Sequence, residues 1–574
     1  MWAPHARSVH LLLGDERVPL AKGVGDWWYA DRPLEPGTDY LFSVDDGTPR
    51  PDPRSPFQPS GPHGPSRTVD HSAFDWTDTN WCAPELRDAV IYECHIGTFT
   101  QRGTFEAAIE TLPHLVDLGV TALELMPVAE FPGSRGWGYD GVDLFAPHHA
   151  YGGPDGLKRL VDAAHGHGLA MILDCVYNHL GPDGNHLAEF GPYFTDRYST
   201  PWGQAVNLDD AYSTQVRSFF IENVLMWMRD YHFDGVRLDA VHAIYDMSAL
   251  HFLEELKASV ASLEIELDRR LWVIAESDLN DPRLVADRST GGYGLDAQWS
   301  DDFHHALHAI LTGDRSGYYA DFWSVAQLAK ALQHAFVYDG VYSRYRKRVH
   351  GRRPEGIPGY RFLGYMQNHD QVGNRATGER SSALMDPELL KVAAALVLTA
   401  PFVPMLFMGE EWGASTPFQY FTDHNDELGR LVSEGRKREF ASFGWEEAAI
   451  PDPQDPATFE RSRLDWGEPE DPKHADLLAW HRSLIRLRRE HPDLTDGRLD
   501  AVRVDHDETA RWLSLRRGGI TVICNLSLDK IEVPLNADGL GRLRLTSSDP
   551  VVGPAGITLA PTSVSVFECL SKSS

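Results

Sequence analysis

Short apolar runs alternate with segments of helical periodicity through the middle of the chain. The runs 89–96, 120–126 and 169–175 are apolar and β-prone, and each has the length of one buried strand. In 156–167, apolar residues recur every three or four positions, which predicts a helix. The same alternation predicts further strands at 235–238, 271–275, 362–366 and 403–408, and helices at 214–230, 248–267, 389–398 and 476–489.

This order of elements predicts an α/β fold, most simply an eight-stranded (β/α)8 TIM barrel, with a doubly wound open sheet as the alternative. The two ends of the chain carry short alternating runs and turn pairs instead, which predicts a β-sandwich at each end. The predicted domains are an N-terminal, carbohydrate-binding-like β-sandwich at 1–80, the barrel at 81–495 with a small subdomain inserted at about 179–208, and a C-terminal β-sandwich at 496–574.

Composition narrows the class of partner. The chain has 574 residues, of which 42% are hydrophobic, and its formal net charge is −31. Nucleic acid and anionic membrane surfaces need a basic protein face, so neither is an expected partner, and a neutral substrate fits better. No run approaches the about 20 apolar residues of a membrane span, and the five cysteines are scattered singly, which predicts reduced, buried thiols in a cytoplasmic enzyme.

Acidic residues stand at the predicted ends of four barrel strands. Asp174, Asp239, Glu276 and Asp370 stand at the ends of the third, fourth, fifth and seventh strands. Any one of them could be an ordinary hydrogen-bonded strand terminus. Barrel enzymes, however, carry their catalytic residues at the carboxyl ends of the strands. Carboxylates in one cleft repel one another, and such a cluster is typical of sites where this repulsion serves the chemistry. Four acidic ends on one face therefore predict an active site.

Two carboxylates with a third nearby suit glycoside hydrolysis or transfer, in which one attacks the anomeric carbon and another protonates the leaving oxygen. Arg237 and Asp239 point to the same side of their strand, so the guanidinium keeps the carboxylate ionised, as a nucleophile requires. Glu276 follows an apolar run and has acidic neighbours, which suits a general acid. A divalent metal site is the competing explanation, and Arg237 argues against it because a fixed cation opposes a bound dication.

These strand ends match the ordered motifs of the α-amylase family of glycoside hydrolases, which the sequence resembles over nearly its whole length. Within that family it looks like the maltooligosyltrehalose trehalohydrolases. The resemblance to this subgroup rests on longer runs, which are MPVAEFPG at 126–133, RGWGYDGV at 135–142, PDP at 51–53, HGPS at 63–66, DDFHH at 301–305 and MQNHDQVGN at 366–374.

The resemblance implies a retaining hydrolysis with Asp239 as nucleophile, Glu276 as acid and base, and Asp370 as the carboxylate that stabilises the transition state. It implies sugar contacts at the subsite of the cleaved residue from Tyr139, Asp174, His179, Arg237 and His369. Further substrate contacts are expected from Asp140, Gln371 and Asn374, and on the leaving-group side from His242, Asp302, His304 and His305. No cofactor and no metal are expected.

The implied substrate is maltooligosyltrehalose, a maltooligosaccharide capped by a trehalose unit, and the implied partner in the pathway is the maltooligosyltrehalose synthase that makes it. A 1,4-α-glucan branching enzyme is the alternative within the class, although branching enzymes usually carry Gln where Asp140 stands. From another class, a catalytically silent glycan-binding protein is a less favoured alternative. Trp137 and Tyr151 could stack on sugar faces, whereas core filling is expected for Trp202.

Overall fold

A closed barrel of eight parallel strands lies at the centre of the computed structural model, which describes residues 1–441, 450–534, 540–553 and 556–569. The predicted (β/α)8 barrel is thus confirmed. From first to eighth, the barrel strands are Ile91–Cys94, Ala122–Leu125, Ala170–Cys175, Gly235–Leu238, Trp272–Ala275, Ala297–Trp299, Phe362–Gly364 and Val403–Phe407.

Register and burial explain why these short runs form the barrel. Every residue of the eight strands is buried, as expected for a parallel sheet covered by helices. The third and fourth strands pair with Asp174 beside Arg237, which brings two of the predicted site residues together at one edge. The sixth strand, Ala297–Trp299, has only three residues and no counterpart among the predicted strands.

Helices cover the outside of the barrel. The helix Pro387–Thr399 shows why they begin where they do, since Asp386 accepts a hydrogen bond from the Leu389 N–H and Pro387 needs no partner for its nitrogen. The longer helices are Leu112–Leu118, Gly153–Gly166, Ser213–Asp230, Phe252–Leu267, Asp301–Thr312, Val325–His334, Pro387–Thr399, Asp426–Ala441 and Pro472–Glu490. Shorter ones are Ile96–Phe99, Phe105–Ile109, Leu187–Phe190, His369–Gly373, Ser381–Leu384 and Pro456–Arg461.

β-Sheets flank the barrel at both ends of the chain, as predicted. The N-terminal sheet consists, in spatial order, of Glu16–Pro19, Val9–Leu13, Asp39–Val44 and Ser66–Arg67. At the C-terminal end, a five-stranded sheet contains Arg503–Asp507, Trp512–Arg517, Ile520–Asn525, Ser563–Glu568 and Arg542–Thr546, and a three-stranded sheet contains Ile531–Val533, Gly556–Leu559 and Val551–Gly553. Parts of the predicted C-terminal domain, 535–539, 554–555 and 570–574, lie outside the described residues.

Two insertions rise from the barrel. The segment after the third strand contains the antiparallel pair Phe194–Thr200 and Gly203–Val206, within the predicted insertion. A second pair, Val341–Ser343 and Arg348–His350, lies between the sixth and seventh strands and has no counterpart in the prediction. The exact domain boundaries stay a prediction.

The cysteines only partly match their prediction. Cys94, Cys175 and Cys524 are buried, but Cys82 is exposed and Cys569 is partly exposed, so the expectation of uniformly buried thiols is wrong for these two residues. No helix among the described residues combines the length and apolar character needed to cross a bilayer.

Candidate active site

Arg237 lies at the centre of the barrel mouth, and none of its surface is exposed. Its Nη1 donates to Asp174 Oδ2 at 2.7 Å and to Asp239 Oδ1 at 2.9 Å, so the predicted contact between Arg237 and Asp239 is present. Its Nη2 lies 3.8 Å from Glu276 Oε2, and the guanidinium lies 4.2 Å from the ring centroid of Trp299. One buried cation therefore faces three carboxyl groups.

Asp239 is held from two sides. Arg237 contacts Oδ1, while Asn178 Nδ2 donates to Oδ2 at 2.6 Å and to the Asp239 backbone carbonyl at 2.9 Å. The Asp239 N–H donates to the Cys175 carbonyl at 3.0 Å, which continues the pairing of the third and fourth strands by one residue. The side chain keeps 13% of its surface exposed. The carboxylate is thus oriented by two partners and still open to a ligand.

Glu276 follows the fifth strand, and its surroundings favour the protonated form of its carboxyl group. Burial raises its pKa well above the ordinary value, Arg237 opposes this rise, and Asp239 is the largest of the acidic neighbours that add to it. Its side chain accepts a hydrogen bond from the N–H of Ala240, whose φ of 39° is in the left-handed region that alanine rarely adopts. The strained backbone at Ala240 turns this N–H towards Glu276.

Tyr139, His369 and Glu93 form a chain of hydrogen bonds beside Asp174. The Tyr139 hydroxyl donates its proton to Asp174 Oδ2 at 2.5 Å, so its oxygen accepts from His369 Nε2 at 2.7 Å. His369 Nδ1 donates to Glu93 Oε1 at 2.5 Å. Both ring nitrogens of His369 therefore carry protons. Burial alone would lower its pKa, but Glu93 and Asp370 outweigh burial and raise it to about 9.

Asp370 stands at the start of the short helix His369–Gly373. The side chain of Asn368 caps this helix by accepting from the N–H groups of Asp370 at 3.0 Å and Gln371 at 3.2 Å. Asn374 Nδ2 donates to Asp370 Oδ1 at 3.2 Å, and Gln371 Oε1 is buried with no hydrogen-bond partner in the described part of the chain. Asp370, Gln371 and Asn374 thus lie together, as the sequence predicts.

Asp140, His179 and Trp202 line a cavity of about 420 Å³ beside the inserted strand pair. His179 Nε2 donates to the Tyr139 carbonyl at 3.0 Å, and Asp140 lies 3.5 Å from His424 Nε2. The expectation that Trp202 fills the core is wrong. Its side chain is 50% exposed and stacks on the His179 ring at a centroid distance of 4.5 Å, because it lies in the turn of the inserted strands.

The residues expected on the leaving-group side separate into two groups. His242 is partly exposed and close enough to Asp278 to help hold the pKa of that carboxyl below its ordinary value. Asp302, His304 and His305 instead lie in the protein interior, in the helix Asp301–Thr312. The side chains of these helical residues point in different directions because each residue is rotated by about 100° from the one before it. Consecutive residues of a helix therefore cannot all face one cleft.

Asp302, His304 and His305 are each in contact with other residues of the fold. Asp302 Oδ2 accepts hydrogen bonds from the N–H groups of Val337 and Tyr338, both at 2.7 Å, and from Asn280 Nδ2 at 2.8 Å. The imidazole of His304 is fully buried and bonds the Tyr319 hydroxyl at 3.0 Å. His305 packs against Tyr318 at a centroid distance of 4.7 Å. These three side chains support the wall of the cleft rather than line the group of carboxylates.

Three polar residues of the site escaped the sequence reasoning, namely Glu93, Asn178 and Asp301. Glu93 is a charged residue inside an otherwise apolar strand, and Asn178 lies between two named site residues, so both left a readable signal. Asp301 accepts a hydrogen bond from the Tyr365 hydroxyl at 2.5 Å and follows the unpredicted sixth strand. Because the sixth strand was not predicted, Asp301 was not recognised as a carboxylate at a strand end.

One group of side chains among the described residues has the spacing of metal ligands. Glu130, His148 and His149 offer ligand atoms within 4.8 Å of one another. Glu130 ends the short strand Ala129–Glu130, and the two histidines directly follow its partner strand, Asp143–Pro147. His149 Nδ1 bonds Glu130 Oε1 at 2.7 Å, whereas His148 Nε2 lies 3.7 Å from the same oxygen and has no hydrogen-bond partner among the described residues. In the carboxylate group, Arg237 fills the space between Asp174 and Asp239 that a cation would need.

Family comparisons agree with this geometry. The family model described as "Alpha amylase, catalytic domain" matches residues 70–198, and the model "Domain of unknown function (DUF3459)" matches residues 497–566. A crystal structure titled as a putative α-amylase from Salmonella typhimurium superposes with a TM-score of 0.90 at 38% identity, covering 99% of this chain and 97% of that chain. The fold, the strand-end carboxylates and these matches define a glycoside hydrolase of the α-amylase class.

Relatives in sequence narrow the class further. A malto-oligosyltrehalose trehalohydrolase from Arthrobacter ramosus is 50% identical over 566 residues, which cover 97% of each chain. A 1,4-α-glucan branching enzyme from Corynebacterium jeikeium is 30% identical over 350 residues, covering 53% of this chain and 48% of that one. The chain belongs to the malto-oligosyltrehalose trehalohydrolase family.

Proposed function

We propose that this glycoside hydrolase cleaves the α-1,4 bond between a maltooligosyl chain and a terminal trehalose unit, and so releases trehalose. The reaction type rests on one observation, which is that Asp239 and Glu276 both lie beside the buried Arg237. The reaction needs Asp239 as a carboxylate that attacks and Glu276 as an acid that donates a proton. The choice of substrate rests on the relatives, whose name states a trehalose-capped oligosaccharide and which match nearly the whole chain.

In the first step, the sugar before the scissile bond lies against Tyr139, Asp174 and His369. Glu276, whose pKa is raised by burial, gives its proton to the glycosidic oxygen as Asp239 attacks the anomeric carbon. The bond to trehalose breaks, trehalose leaves with the proton, and a covalent glycosyl ester forms on Asp239. Arg237 and Asn178 hold the attacking carboxylate in line for this step.

In the second step, Glu276 is an anion and takes a proton from water, which attacks the same carbon and frees the maltooligosaccharide. Asp239 leaves as a carboxylate and Glu276 regains its proton, so the site returns to its starting state with the configuration retained. Asp370, with 41% of its side chain exposed beside His369, faces the developing positive charge of the sugar ring.

A branching transferase is the second candidate, because it would use the same covalent intermediate and resolve it with a glucan hydroxyl instead of water. The C. jeikeium branching enzyme matches only about half of this chain, whereas the trehalohydrolases match it end to end. Asp140, which lines the cavity beside His179, stands where branching enzymes usually carry glutamine. Both observations favour hydrolysis.

Product analysis tests the proposal. The protein is incubated separately with maltopentaosyl trehalose and with amylose, and the products are separated by chromatography. Free trehalose with maltopentaose from the first substrate is the expected result. New α-1,6 branches from amylose, with no trehalose from the first substrate, would replace the proposal with a branching transferase.

The proposed substrate also fixes a place in a reaction sequence. A trehalose-capped chain forms when the reducing-end bond of a maltooligosaccharide is rearranged from α-1,4 to α,α-1,1, so an enzyme of that intramolecular transfer class must act first. We propose functional pairing with such a synthase in the cytoplasm. Joint incubation of both enzymes with maltohexaose, compared with each enzyme alone, tests the order of the two steps.

A further inference from the structure

Asp301 is an acidic residue at the barrel mouth to which the mechanism above gives no task. It directly follows Ser300 after the sixth strand, Ala297–Trp299, and begins the helix Asp301–Thr312. The sixth strand pairs with the fifth on one side and the seventh on the other. Asp301 therefore lies between Glu276 and Asp370 in the ring of strand ends.

The charges at the mouth show that these groups are close. Asp301 helps to raise the pKa of Glu276, after burial and Asp239. Burial raises the pKa of Asp301 itself to about 7, the Tyr365 hydroxyl opposes this, and Asp278 and Asp370 add to it. At neutral pH this carboxyl is therefore poised to gain or lose a proton beside the acid of the reaction.

One oxygen of Asp301 is held and the other is available. Tyr365, which is fully buried, donates to Oδ1 at 2.5 Å and fixes the direction of the carboxyl group. Oδ2 has no hydrogen-bond partner among the residues that the structure describes. The Asp301 side chain remains partly exposed, so this second oxygen can reach a ligand in the cleft.

The neighbours of Asp301 perform the structural tasks of this segment. The Ser300 hydroxyl donates to the Ala335 carbonyl at 2.9 Å, and Asp302 accepts from the N–H groups of Val337 and Tyr338. Asp301 makes none of these contacts. Among the described residues its carboxyl bonds only Tyr365, which directly follows the seventh strand, and this leaves Oδ2 available to a ligand.

The position of Asp301 indicates which part of the substrate it meets. Asp174, Tyr139 and His369 occupy the side of Arg237 where the cleaved sugar lies in the proposed mechanism. Asp301 is close enough to Asp278, in the loop after Glu276, for Asp278 to add to the rise in its pKa. A leaving sugar joined to the oxygen that Glu276 protonates would meet this part of the mouth.

We propose that Asp301 is a specificity-determining residue that accepts a hydrogen bond from a hydroxyl of the leaving sugar next to the scissile bond. The proposal rests on the proposed function, because the leaving sugar is then the first glucose of trehalose. A buried polar group built to meet a hydroxyl discriminates strongly against a leaving group that lacks it.

The test compares leaving groups. Asp301→Asn keeps the shape of the side chain and removes its charge, and Asp287→Asn, which removes an exposed helix-capping carboxylate, is the matched control. For each variant, kcat/KM is measured on maltotriosyl trehalose, on maltopentaose and on a nitrophenyl α-maltotrioside, whose leaving group has no sugar hydroxyl. The pH profile of kcat/KM and the melting temperature are recorded as well.

We expect Asp301→Asn to lower kcat/KM on maltotriosyl trehalose by about 10- to 100-fold, the factor for one hydrogen bond to a charged group, and on the aryl substrate by less than about threefold. The alkaline limb of the kcat/KM profile on maltotriosyl trehalose, whose leaving oxygen needs the Glu276 proton, should move to lower pH, because Glu276 loses a negative neighbour while Arg237, Asp239 and Asp370 remain. Equal losses on all three substrates, or no loss on the sugar leaving groups, would overturn the proposal.

Two further measurements keep the test decisive. If Asp301→Asn does not fold, Tyr365→Phe releases Oδ1 without removing the carboxyl and should give a smaller loss of the same selectivity. If the wild-type protein releases no trehalose, the proposed function fails, yet the ratio of maltopentaose to aryl-substrate rates still tests whether Asp301 meets a leaving sugar.

Discussion

The cleft has two sides that are built in different ways. On the side of the cleaved sugar, Arg237, Asp174 and His369 are almost fully buried and Tyr139 is partly buried, and each bonds at least one of the others at 2.5 to 2.8 Å. On the leaving-group side, the ion pair of Asp278 with Arg346 has exposed side-chain fractions of 35% and 22%. Hydrogen bonds therefore hold the side chains of the first side in place, whereas the ion pair on the second side is partly exposed to solvent.

The difference follows from where the residues come from. The first side is centred on Asp174 and Arg237, whose positions the register of the third and fourth barrel strands fixes, and Tyr139 reaches them from the segment after the second strand. The second side depends on the inserted strand pair Val341–Ser343 and Arg348–His350, which is joined to the loop after Glu276 through His350 Nε2 on the Asp278 carbonyl at 2.8 Å. The barrel thus positions the residues that react, and an insertion positions the residues on the side of the leaving group.

Asp239→Asn should have the largest effect, because it removes the proposed nucleophile from the fixed side. We expect kcat to fall by at least about 10⁴-fold on every substrate, whatever its leaving group. Initial rates of trehalose release and of nitrophenol release measure the loss, and a thermal melt confirms folding. Activity within tenfold of wild type would exclude Asp239 as nucleophile.

Glu276→Gln tests the boundary between the two sides. The amide cannot protonate the leaving oxygen, so we expect kcat/KM on maltopentaosyl trehalose to fall by about 10²- to 10⁴-fold. A nitrophenyl leaving group departs without a proton, so the first step on an aryl maltooligoside should be nearly unaffected. A burst of nitrophenol followed by slow turnover is the expected signature. Equal loss of the burst and of sugar cleavage contradicts the assignment of Glu276 as acid.

The barrel was largely predictable from sequence, and the reason for its one missing strand is physical. Seven strands were readable because each is a short apolar run between a helix end and a polar terminus. The sixth, Ala297–Trp299, has three residues with a glutamine in the middle, too little for any period to show. Its neighbours in the barrel, rather than its own sequence, make it a strand.

The site was predictable where residues directly follow a strand or its motif and unpredictable along a longer helix. Asp174, Asp239 and Glu276 stand at strand ends, and Asp370 is the second residue of the short helix after the seventh strand. In the run 301–305 the chain already turns as a helix, so Asp301 faces the mouth while Asp302 bonds Val337 and Tyr338. Sequence alone does not say which residue of such a run faces the cleft.

Glu93→Gln should weaken the fixed side without removing a reacting group. Burial lowers the pKa of His369, but Glu93 and Asp370 outweigh it and raise the value to about 9. The charged imidazole therefore stabilises the fold fully below pH 6.5, the ordinary value, and this contribution is lost as pH rises through 9. We expect the variant to lose about tenfold in kcat. Its deficit in melting temperature should be largest near pH 6 and shrink towards pH 10. A deficit independent of pH would show that Glu93 acts only through packing.

Arg346→Met should have the smallest effect. It tests whether the partly exposed leaving-group side acts separately from the reacting carboxylates. The aliphatic part of the side chain is kept, while the 2.8 Å ion pair with Asp278 is lost. Partly exposed ion pairs contribute about 0.2 to 1 kcal/mol, which corresponds to less than about a fivefold rise in KM for maltopentaosyl trehalose. Because Asp239 and Arg237 are untouched, kcat on the aryl maltooligoside should stay at the wild-type value. A loss in kcat on both substrates would mean that the inserted strand pair supports the reacting carboxylates as well as the leaving sugar, and the two sides of the cleft would then be one unit.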